Sequence, residues 1–514
     1  MNYLALTIGP IIETLSNSKK TKELFAGSYL FSYIMKSILK ELESKKYDLI
    51  VPHHDNIDKI FNGKYGIGMF HDRLIVSSNK TETQIEDDIN SIIDYIINEI
   101  TKKIIEIDKR NKKFEDKIKE FFKNYLQISY VITPNFSLEE IMNLLDVAEL
   151  NREFIINPDD YKILIDQEGN RVNPLIYLQR KFHKSFLKDD AFEDKKTDFP
   201  STLEIALNKD IEYTYNEKED EQLENEALKG AKQYQKYFAI IQGDGDKIGS
   251  ILSEIDKDSK QIKEFSKKLL EYTQKIPEIA KKYDAKVVYA GGDDMLAFAP
   301  LLSEGGTIFD FLKALDDEFK KTIKTLDLEQ AKDVSLSFGV AIVYHKKPLY
   351  QALNKAITNL FAKAKLKKDR NRIVAEIVKH SGQSFEVELK ISDSTFKTFT
   401  EILEKELNLA KDDKKDGLPH SIVHNISRSQ NLILSMANRF NDDVFNKRIE
   451  SFFENNFNKE IHKNKTTKEL LDKTRELLIL DIKSQKEQEE KKSLNHFYSM
   501  LSAIKHLRGD RWNF

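Results

Sequence analysis

The order of strand and helix patterns over residues 237–378 constrains the fold of this 514-residue chain most strongly. The strand-like runs "YFAIIQ", "KVVYA", "MLAFAP" and "VSLSFGVAIVYH" alternate with helical patterns near residues 250–275 and 307–326. A further helical pattern over 349–366 precedes the strand-like "IVAEIV". The order βαββαβ is that of the ferredoxin-like fold, in which the first strand and the central hairpin lie side by side. The sequence therefore predicts an α+β domain with this topology.

A glycine pair and an aspartate pair occupy the tip of the central hairpin. The stretch "KVVYAGGDDMLAFAP" places Gly291, Gly292, Asp293 and Asp294 between two apolar strand patterns. Glycine adopts positive φ at little cost, and its lack of a side chain lets a ligand approach the backbone. We therefore expect two carboxylates at the strand tip, beside a turn that a ligand can reach.

A second acidic turn ends the preceding core strand. In "IIQGDGDKIG", Asp244 and Asp246 lead from the strand into the start of a helix. Because the first strand neighbours the central hairpin in this topology, both turns are expected at one end of the sheet. Either turn alone is equally well explained as a polar hairpin tip, but two turns at one end indicate a shared site.

Clustered carboxylates suggest a bound cation, because they repel one another and resist ionisation unless a cation neutralises them. Ligand sets made only of oxygen select hard ions, and Mg²⁺ needs only one or two carboxylates when substrate phosphates supply further ligands. Two such ions would clamp the attacking and leaving oxygens in nucleotidyl transfer. The acidic turns therefore predict a site for Mg²⁺, or for Mn²⁺ in its place.

The rest of the chain divides into three further regions. A strand pattern at 3–8, a helical pattern at 14–42, strand-like segments in "YDLIVP" and "NGKYGIGMFHDRLIV", and a long charged helix at 83–126 form one αβ unit. Turn signals and short helical patterns over 127–229 indicate an insert or linker. Helical patterns with polar breaks follow residue 392. The predicted boundaries are 1–130, 131–230, 231–391 and 392–514.

Composition excludes several classes of protein. The chain has no cysteine, so disulfides and thiolate metal sites are excluded and no zinc is expected. The 82 basic and 85 acidic residues give a net charge of -3, so any contact with nucleic acid must be local. No apolar run reaches the roughly 18 residues of a membrane span, and "MNYLALTIGP" lacks the charged start of a secretory signal. We expect a cytoplasmic protein without membrane contact.

Seven segments carry a resemblance to a known family. They are "LTIGPIIETLSNSKKTKELFAGSYLFSYI", "NGKYGIGMFHDRLIV", "FPSTLEIAL", "DGDKIGSIL", "YAGGDDMLAFAP", "SFGVAIVYHKKPLYQAL" and "AKAKLKKDRNRIVAEIVKHSG". In this order they resemble the large palm-domain subunit of type III CRISPR RNA-targeting complexes, most closely its Cmr type. The segment "GGDD" alone is also similar to GGDEF-type cyclases.

The resemblance implies two ferredoxin-like palm domains, a helical insert and a C-terminal helical domain. It also implies ATP bound between the palms and Mg²⁺-dependent synthesis of a nucleotide second messenger when target RNA pairs with the guide. The family's catalytic and metal-binding positions match Asp244, Asp293 and Asp294. Its cofactor-binding positions match Gly245, Asp246, Gly291, Gly292 and Lys365. Lys365 would approach the triphosphate, and a solvated helix lysine is an equally good explanation of that position.

The resemblance also implies partners and leaves the product open. The implied partners are guide-RNA-binding subunits and a small helical subunit, through which guide and target RNA are mostly held. The product is either cyclic oligoadenylate or, as in some Cmr-type relatives, AMP joined to S-adenosylmethionine. A non-catalytic scaffold and a stand-alone GGDEF-like dinucleotide cyclase are the alternative functions. The intact acidic turns argue against the scaffold, and the additional palm and helical domains argue against the stand-alone cyclase.

The chain departs from the fuller family pattern in two respects. The first palm strand begins at Tyr3, so the histidine-aspartate nuclease domain of many relatives is expected to be absent. The zinc-binding cysteine cluster of the middle region is absent as well. The segment "PHHDN", with His53 and His54, is expected to be a surface loop because no partner histidines occur at suitable spacing.

Three other features are weaker candidates for a site. His420 and His424 can share one helix face, but no third ligand is evident and the context favours packing. The basic "SKKTKEL" at 18–24 suits either contact with phosphates or the solvated face of a helix. The aromatic residues of "FENNF" and "HFYSMLSAIKHL" favour core packing or a subunit interface over base stacking.

Overall fold

The computed structural model describes residues 1–150, 157–194, 197–213, 217–412, 414, 416–419, 421–457, 464–487 and 492–509. Two units, each built on one larger sheet with helices on it, are separated by a helical insert. In the region that follows the second unit, the elements of the described residues are all helices. The predicted α+β class with two ferredoxin-like units is confirmed.

The first sheet has four antiparallel strands in the ferredoxin-like order β2-β3-β1-β4. Its strands are β1 (Asn2–Gly9), β2 (Asp48–Val51), β3 (Arg73–Ser78) and β4 (Gln127–Thr133). Its helices are α1 (Ile11–Ser16), α2 (Thr21–Ser44), α3 (Ile57–Asn62), α4 (Glu82–Ile107) and α5 (Glu115–Tyr125). Ala5 pairs with Ile75 and with Val131, so β1 lies in the centre of the sheet.

Two predicted helices of this unit are each interrupted. The helical pattern at 14–42 forms two helices, α1 and α2, with a turn between them. The pattern at 83–126 forms α4 and α5, because the backbone of Asp108 is extended at φ -147° and its carboxylate accepts the N–H of Arg110 at 3.0 Å. Such side-chain bonds to nearby backbone compete with helix formation.

The strand β4 was not predicted, and the boundary at residue 130 is wrong because it falls inside this strand. Every residue of β4 is half-buried, so the strand lacks the alternation of buried and exposed positions that identifies a strand in sequence. The first helix of the insert, α6 (Leu138–Leu150), packs on β4 and β1 and so belongs with the first sheet.

Aromatic packing attaches the insert to the first unit. The remaining elements of the insert are β5 (Leu164–Ile165), β6 (Arg171–Val172), α7 (Pro174–Arg180), α8 (Phe186–Ala191), α9 (Thr202–Leu207) and α10 (Glu217–Ala227). The ring of Phe25 on α2 stacks on Phe192 and Phe199 and meets the edge of Phe182. These buried rings hold the insert against α2.

The second sheet has six strands in the order β14-β13-β12-β7-β9-β8. Its strands, with the short pair β10 and β11, are β7 (Tyr237–Asp246), β8 (Lys286–Gly291), β9 (Asp294–Pro300), β10 (Leu302–Ser303), β11 (Gly306–Thr307), β12 (Ser335–Tyr344), β13 (Arg372–Val378) and β14 (Ser384–Lys390). Its helices are α11 (Ile248–Glu254), α12 (Ser259–Lys282), α13 (Ile308–Ile323) and α14 (Leu349–Phe361). All predicted strands are present, and the edge strand β14 is an addition that was not predicted.

The part of the chain described after the second sheet contains six helices. They are α15 (Ser394–Lys411), α16 (Ile422–Arg428), α17 (Gln430–Arg439), α18 (Asp442–Asn456), α19 (Lys465–Glu487) and α20 (Asn495–Arg508). The helix α20 packs on β14 and α15, and Phe453, Phe457 and Phe497 lie in the core, as predicted. Among the described residues, no helix is both long enough and apolar enough to cross a membrane.

Candidate active site at the acidic turns of the second sheet

The two acidic turns meet at one end of the second sheet. Strands β7 and β9 are antiparallel neighbours, and Gly243 pairs with Met295. The next residue along β7 is Asp244, and the residue before Met295 is Asp294. The two aspartates therefore stand side by side on neighbouring strands, at the end of the sheet where both turns lie.

Glycines allow the backbones of the two turns to approach closely. Gly291 pairs with Asp294, so Gly292 and Asp293 form a two-residue hairpin turn. Gly292 has φ 69°, a left-handed conformation that favours glycine. On the other turn, a β-carbon at Gly245 would lie 2.6 Å from Oδ2 of Asp293. The Asp293 carboxylate thus rests directly on the Gly245 backbone.

The ammonium of Lys365 lies among the oxygens of the β7 turn. Its Nζ forms ion pairs with Asp244 and with Oδ1 of Asp246, the latter at 2.9 Å. It also donates to the carbonyl oxygen of Gly245 at 2.5 Å. The lysine belongs to a short 3-10 turn after α14, and its side chain is only 13% exposed. The explanation of Lys365 as a solvated helix lysine is therefore wrong.

The carboxylate of Asp246 is buried and has donors on both oxygens. Its Oδ2 accepts hydrogen bonds from Ser335 Oγ at 2.7 Å, Ser337 Oγ at 2.8 Å and the Asn371 backbone N–H at 3.0 Å. Its Oδ1 accepts from Lys365, and the side chain has no exposed surface. This carboxylate is part of the protein frame beneath the turn.

Asn371 extends this buried frame to a second carboxylate. Its backbone is left-handed at φ 55°, and its Nδ2 donates to Oδ2 of Asp316 at 3.0 Å. The other oxygen of Asp316 accepts the backbone N–H of Leu336 at 2.8 Å, and Lys320 pairs with this carboxylate at 2.6 Å. These hydrogen bonds fix the orientation of both buried carboxylates, although the Oδ1 of Asn371 is itself buried without a hydrogen-bond partner.

The acidic turns hold carboxyl groups that resist ionisation. Burial, and then the charge of Asp244, raises the pKa of Asp293 to about 6. Burial of the carboxyl group, the charge of Asp293 and a hydrogen bond with Asp244 raise the pKa of Asp294 above its usual range. Part of this residue is nevertheless exposed to solvent. The ammonium of Lys365 opposes both shifts. A cation would stabilise the ionised form of this cluster.

The oxygens at the turns fit a hard cation. No group of three or more Asp, Glu or His side chains within the described ranges is already arranged as a metal cage. Mg²⁺ needs only one or two carboxylates together with phosphate and water ligands, so a complete protein cage is not required. Asp244, Asp293 and Asp294 are the side chains that would hold the ion. Asp246 is a poor candidate because protein donors already occupy both of its oxygens.

The first unit contributes an edge of the site that the sequence patterns did not predict. Gly68 lies beside the edge strand β8, where its N–H donates to Val288 at 3.4 Å and its carbonyl accepts from Ala290 at 2.9 Å. Three residues later, His71 packs on the hairpin, with its Cβ 3.1 Å from the position of a β-carbon built on Gly291. The site therefore lies between the two units.

Two further polar groups line the same side of the site. Gln242 donates to the hydroxyl of Tyr289 at 2.9 Å. Burial, and then the charge of Asp294, raises the pKa of Tyr289, and Asp72 of the first unit contributes to the same shift. The sequence signal for this edge is the glycine at position 68 in "NGKYGIGMFHDR", because a β-carbon there would come within 4 Å of Ser32 in the first unit and Tyr289 in the second.

The remaining sequence candidates form separate local structures. His53 and His54 lie in the loop between β2 and α3, as predicted. His424 is exposed on α16, and His420 lies outside the described residues. Lys20 of the basic segment forms an ion pair at 3.2 Å with a carboxylate of the insert.

Comparison with known families identifies the two sheets. Residues 237–374 match the family described as Cas10/Cmr2, second palm domain, and residues 3–126 match CRISPR-associated protein Cmr2, N-terminal. Together the two matches cover about half of the chain. The chain belongs to the Cas10/Cmr2 family. The resemblance found in the sequence is confirmed, and the first Cas10/Cmr2 match contains both acidic turns and Lys365.

One curated relative in the Cas10/Cmr2 family is the CRISPR system Cmr subunit Cmr2 of Pyrococcus furiosus. It is 27% identical over 240 residues, which are 41% of this chain. The aligned part spans only 27% of the length of that relative.

Solved structures share the Cas10/Cmr2 fold at low sequence identity. The type III-B Cmr-beta complex in its apo state contains a chain with TM-score 0.55 and 11% identity, and 88% of this chain and 77% of that chain are covered. The Cmr-beta structure bound to cognate target RNA gives TM-score 0.54, 13% identity, and 88% and 78% coverage. The Csm1-Csm4 cassette in complex with pppApA gives TM-score 0.52, 12% identity, and 98% and 69% coverage.

Proposed function

We propose that this chain is the large subunit of a type III-B CRISPR complex and that it synthesises an adenylate second messenger from ATP when target RNA is bound. The observation that carries the proposal is the convergence of Asp244, Asp293 and Asp294 beside Lys365, in the second palm domain of a Cas10/Cmr2 chain. Palm domains of this kind belong to the nucleotidyl cyclase and polymerase superfamily. A scaffold subunit would have no need of three neighbouring carboxylates that repel one another.

Two structural relatives agree with this assignment. One contains a Csm1-Csm4 cassette in complex with pppApA, a short adenylate chain, and another is a Cmr-beta complex bound to cognate target RNA. By analogy, we assign ATP as the substrate and target RNA as the activator of this chain.

The reaction joins an acceptor hydroxyl to the α-phosphorus of ATP. The hydroxyl oxygen forms the new P–O bond at the α-phosphorus and releases its proton to solvent, the bond to the bridging oxygen of the β-phosphate breaks, and pyrophosphate leaves. When bound at Asp244, Asp293 and Asp294, Mg²⁺ would stabilise the charge on the α-phosphate and make the attacking hydroxyl more acidic. Gly292 has no side chain to cover the backbone of this turn, although Leu269 and His71 lie beside it.

The side chains around the acidic turns have separate tasks in this reaction. Lys365 supplies a positive charge that can move toward the triphosphate from its place on the β7 turn. The frame of Ser335, Ser337 and Asn371 keeps that turn rigid through Asp246. The packing of His71 on the hairpin places a residue of the first palm against the Gly291 turn.

The proposed complex also requires partner subunits. The near-neutral charge of the chain argues against strong binding of RNA by this subunit alone, so guide RNA is held mainly by other subunits. The helices from α15 to α20 offer the surface on which a small helical subunit packs.

Analysis of the reaction products tests the proposal. The assembled complex is incubated with ATP, Mg²⁺ and target RNA, with and without S-adenosylmethionine, and the products are identified by mass. We expect an adenylate product that requires Mg²⁺ and target RNA. A product that appears only with S-adenosylmethionine would assign AMP conjugation to the same site. Absence of any product would make the chain a scaffold, and synthesis without RNA would indicate a stand-alone cyclase.

A further inference from the structure

The ammonium of Lys365 occupies a place that a metal ion would use. It contacts the Asp244 carboxylate and lies 2.5 Å from the carbonyl oxygen of Gly245. A carboxylate and an adjacent backbone carbonyl are oxygen ligands of the kind that hard divalent cations bind. The lysine thus places a positive charge in the metal cradle, which is formed by the Asp244 carboxylate and the Gly245 carbonyl oxygen.

Asp246 contacts the same ammonium on the side away from the hairpin. Its Oδ1 accepts from Lys365 at 2.9 Å, and its Oδ2 already accepts three hydrogen bonds from Ser335, Ser337 and Asn371. Its side chain has no exposed surface, whereas that of Asp244 is 22% exposed. Of these two aspartates, only Asp244 can therefore present an oxygen to a ligand that enters from solvent.

We propose that Lys365 is a tethered counter-ion that occupies the metal cradle when nucleotide is absent, and that Asp246 is its anchor and not a metal ligand. This inference rests on the proposed function in taking Asp244 as a metal ligand and ATP as the substrate. The entering ion displaces the ammonium from Asp244 and Gly245, while the bond to Asp246 keeps the lysine beside the site. The displaced ammonium is then free to meet the triphosphate that arrives with the metal.

The chemistry of lysine suits this exchange. Its ammonium is a compact charge on a flexible four-carbon stem, so it can move by a few ångströms without a change in the backbone. The stem of Lys365 begins in a short turn after α14, while Asp246 is held rigidly by strands of the sheet. Asp246 is therefore a positioning residue that acts through Lys365.

The first experiment measures Mn²⁺ binding to the full chain without nucleotide, from the electron paramagnetic resonance signal of free Mn²⁺. Lys365→Met removes the competing charge and keeps an unbranched chain of similar length. We expect it to bind Mn²⁺ about tenfold more tightly or better, because a unit charge a few ångströms away opposes the ion strongly. The same variant should bind ATP more weakly in the presence of the metal. A purely structural role would not change the two affinities in opposite directions.

Lys363 provides a matched control two residues away. Its ammonium pairs with Glu386 and donates to Asn359 at 2.9 Å, so it neutralises a different carboxylate. Lys363→Met should leave the affinity for Mn²⁺ unchanged. If both variants gained the same affinity for Mn²⁺, the gain would come from the lower positive charge of the surface in general, and the proposal would be overturned.

A second experiment tests the anchor. Asp246→Asn is added to the Lys365→Met variant, and folding is checked by thermal melting. If Asp246 is only an anchor, the double variant binds Mn²⁺ as tightly as Lys365→Met alone. If the double variant bound Mn²⁺ about tenfold more weakly than Lys365→Met alone, Asp246 would be a metal ligand and the proposal would be contradicted.

Asp244→Asn separates failure of this inference from failure of the proposed function. If Asp244→Asn loses Mn²⁺ binding while Lys365→Met leaves it unchanged, the metal site stands and the counter-ion role is wrong. If Asp244→Asn binds Mn²⁺ normally, the metal assignment itself is wrong, and the counter-ion role is overturned with it.

Discussion

Gly245 lies directly against Asp293, since a β-carbon at position 245 would come within 2.6 Å of the Asp293 carboxylate oxygen and 2.7 Å of Ile248. Two acidic turns that come from distant parts of the chain are therefore in van der Waals contact at one glycine. The contact between the Gly245 backbone and Asp293 therefore helps to fix the position of the carboxylates, in addition to the charges between them.

The contact predicts that Gly245→Ala damages the site more than the fold. The added methyl group must push Asp293 aside, and displacement of a catalytic group by about 1 Å can cost on the order of 100-fold in rate. We expect nucleotide synthesis by the assembled complex to fall at least about tenfold, with little change in melting temperature. Gly249→Ala is the control, because a β-carbon there meets nothing within 4 Å. Equal activity of the two variants would contradict the predicted role of this contact.

The buried frame beneath the site predicts a stability difference at Asn371. Asn371→Gly keeps the left-handed backbone and loses the hydrogen bond to Asp316. Asn371→Ala loses the same bond and adds backbone strain, so it should be the less stable variant by about 0.5–1 kcal/mol. Urea denaturation measures both free energies of unfolding. A more stable alanine variant would show that the backbone strain at this position is relieved elsewhere.

His345 predicts a loss of stability in mild acid. The side chain is 4% exposed, and burial followed by the charges of Lys346 and Lys236 lowers its pKa to about 4. Between the unfolded pKa of about 6.5 and the folded value, only the unfolded chain binds the proton, so stability falls as the pH falls through this window.

The contribution of His345 should reach about 2 kcal/mol at pH 5, from about 1.4 kcal/mol for each pH unit below 6.5. Urea denaturation of the chain at about pH 7 and pH 5 measures it as the difference between wild type and His345→Phe. The difference is needed because the half-buried His183 and His506 also have lowered pKa values and the same sign of effect. An identical pH dependence in the variant would show that His345 is protonated in the folded chain.

Much of the fold could be predicted from hydrophobic pattern because the central strands are buried on both faces. Residues 237–242 of β7 and nearly all of β12 are buried at every position, so their sequences are mostly apolar and lack regular alternation with polar residues. The edge strands β4 and β14 carry half-exposed and charged residues and could not be recognised in this way. The break at Asp108 depends on one side-chain bond to the backbone, which periodicity does not detect.

In the candidate site, too, some features could be predicted from the sequence pattern and others depend on tertiary packing. Its carboxylates follow strands that the pattern identifies, and the topology then predicts that Asp244 and Asp294 are neighbours. The contribution of His71 and Gly68 depends on how the two units pack together, which no local pattern encodes. The choice between ligand and anchor at Asp246 depends on Ser335, Ser337 and Asn371, which are about 90 to 125 residues further along the chain.

The charge balance of the chain predicts how it binds RNA. With 82 basic and 85 acidic residues, the isolated chain should bind guide RNA weakly and without sequence preference at physiological salt. Fluorescence anisotropy with labelled guide RNA measures this affinity, and addition of the partner subunits should increase it strongly. Tight and specific binding by the chain alone would contradict the partner-based assignment.

The three carboxylates predict a shared effect on catalysis. If both turns hold one metal site, Asp244→Ala should lower synthesis about as much as Asp293→Ala with Asp294→Ala. The triple variant should be little worse than the double, because groups that act as a unit are not additive. Product formation from ATP by the assembled complex measures all three variants. A multiplicative loss in the triple variant would indicate two independent roles.

The most direct test of the metal-site assignment is the rate of nucleotide synthesis from ATP by a target-RNA-bound complex that carries Asp293→Ala and Asp294→Ala. Removal of the charges that hold the metal should lower this rate at least about 100-fold, which corresponds to a few kcal/mol of lost transition-state stabilisation. Assembly and guide-directed RNA cleavage should persist, because the substitutions relieve carboxylate repulsion and keep both turn glycines. Near-normal synthesis by this variant would contradict the account.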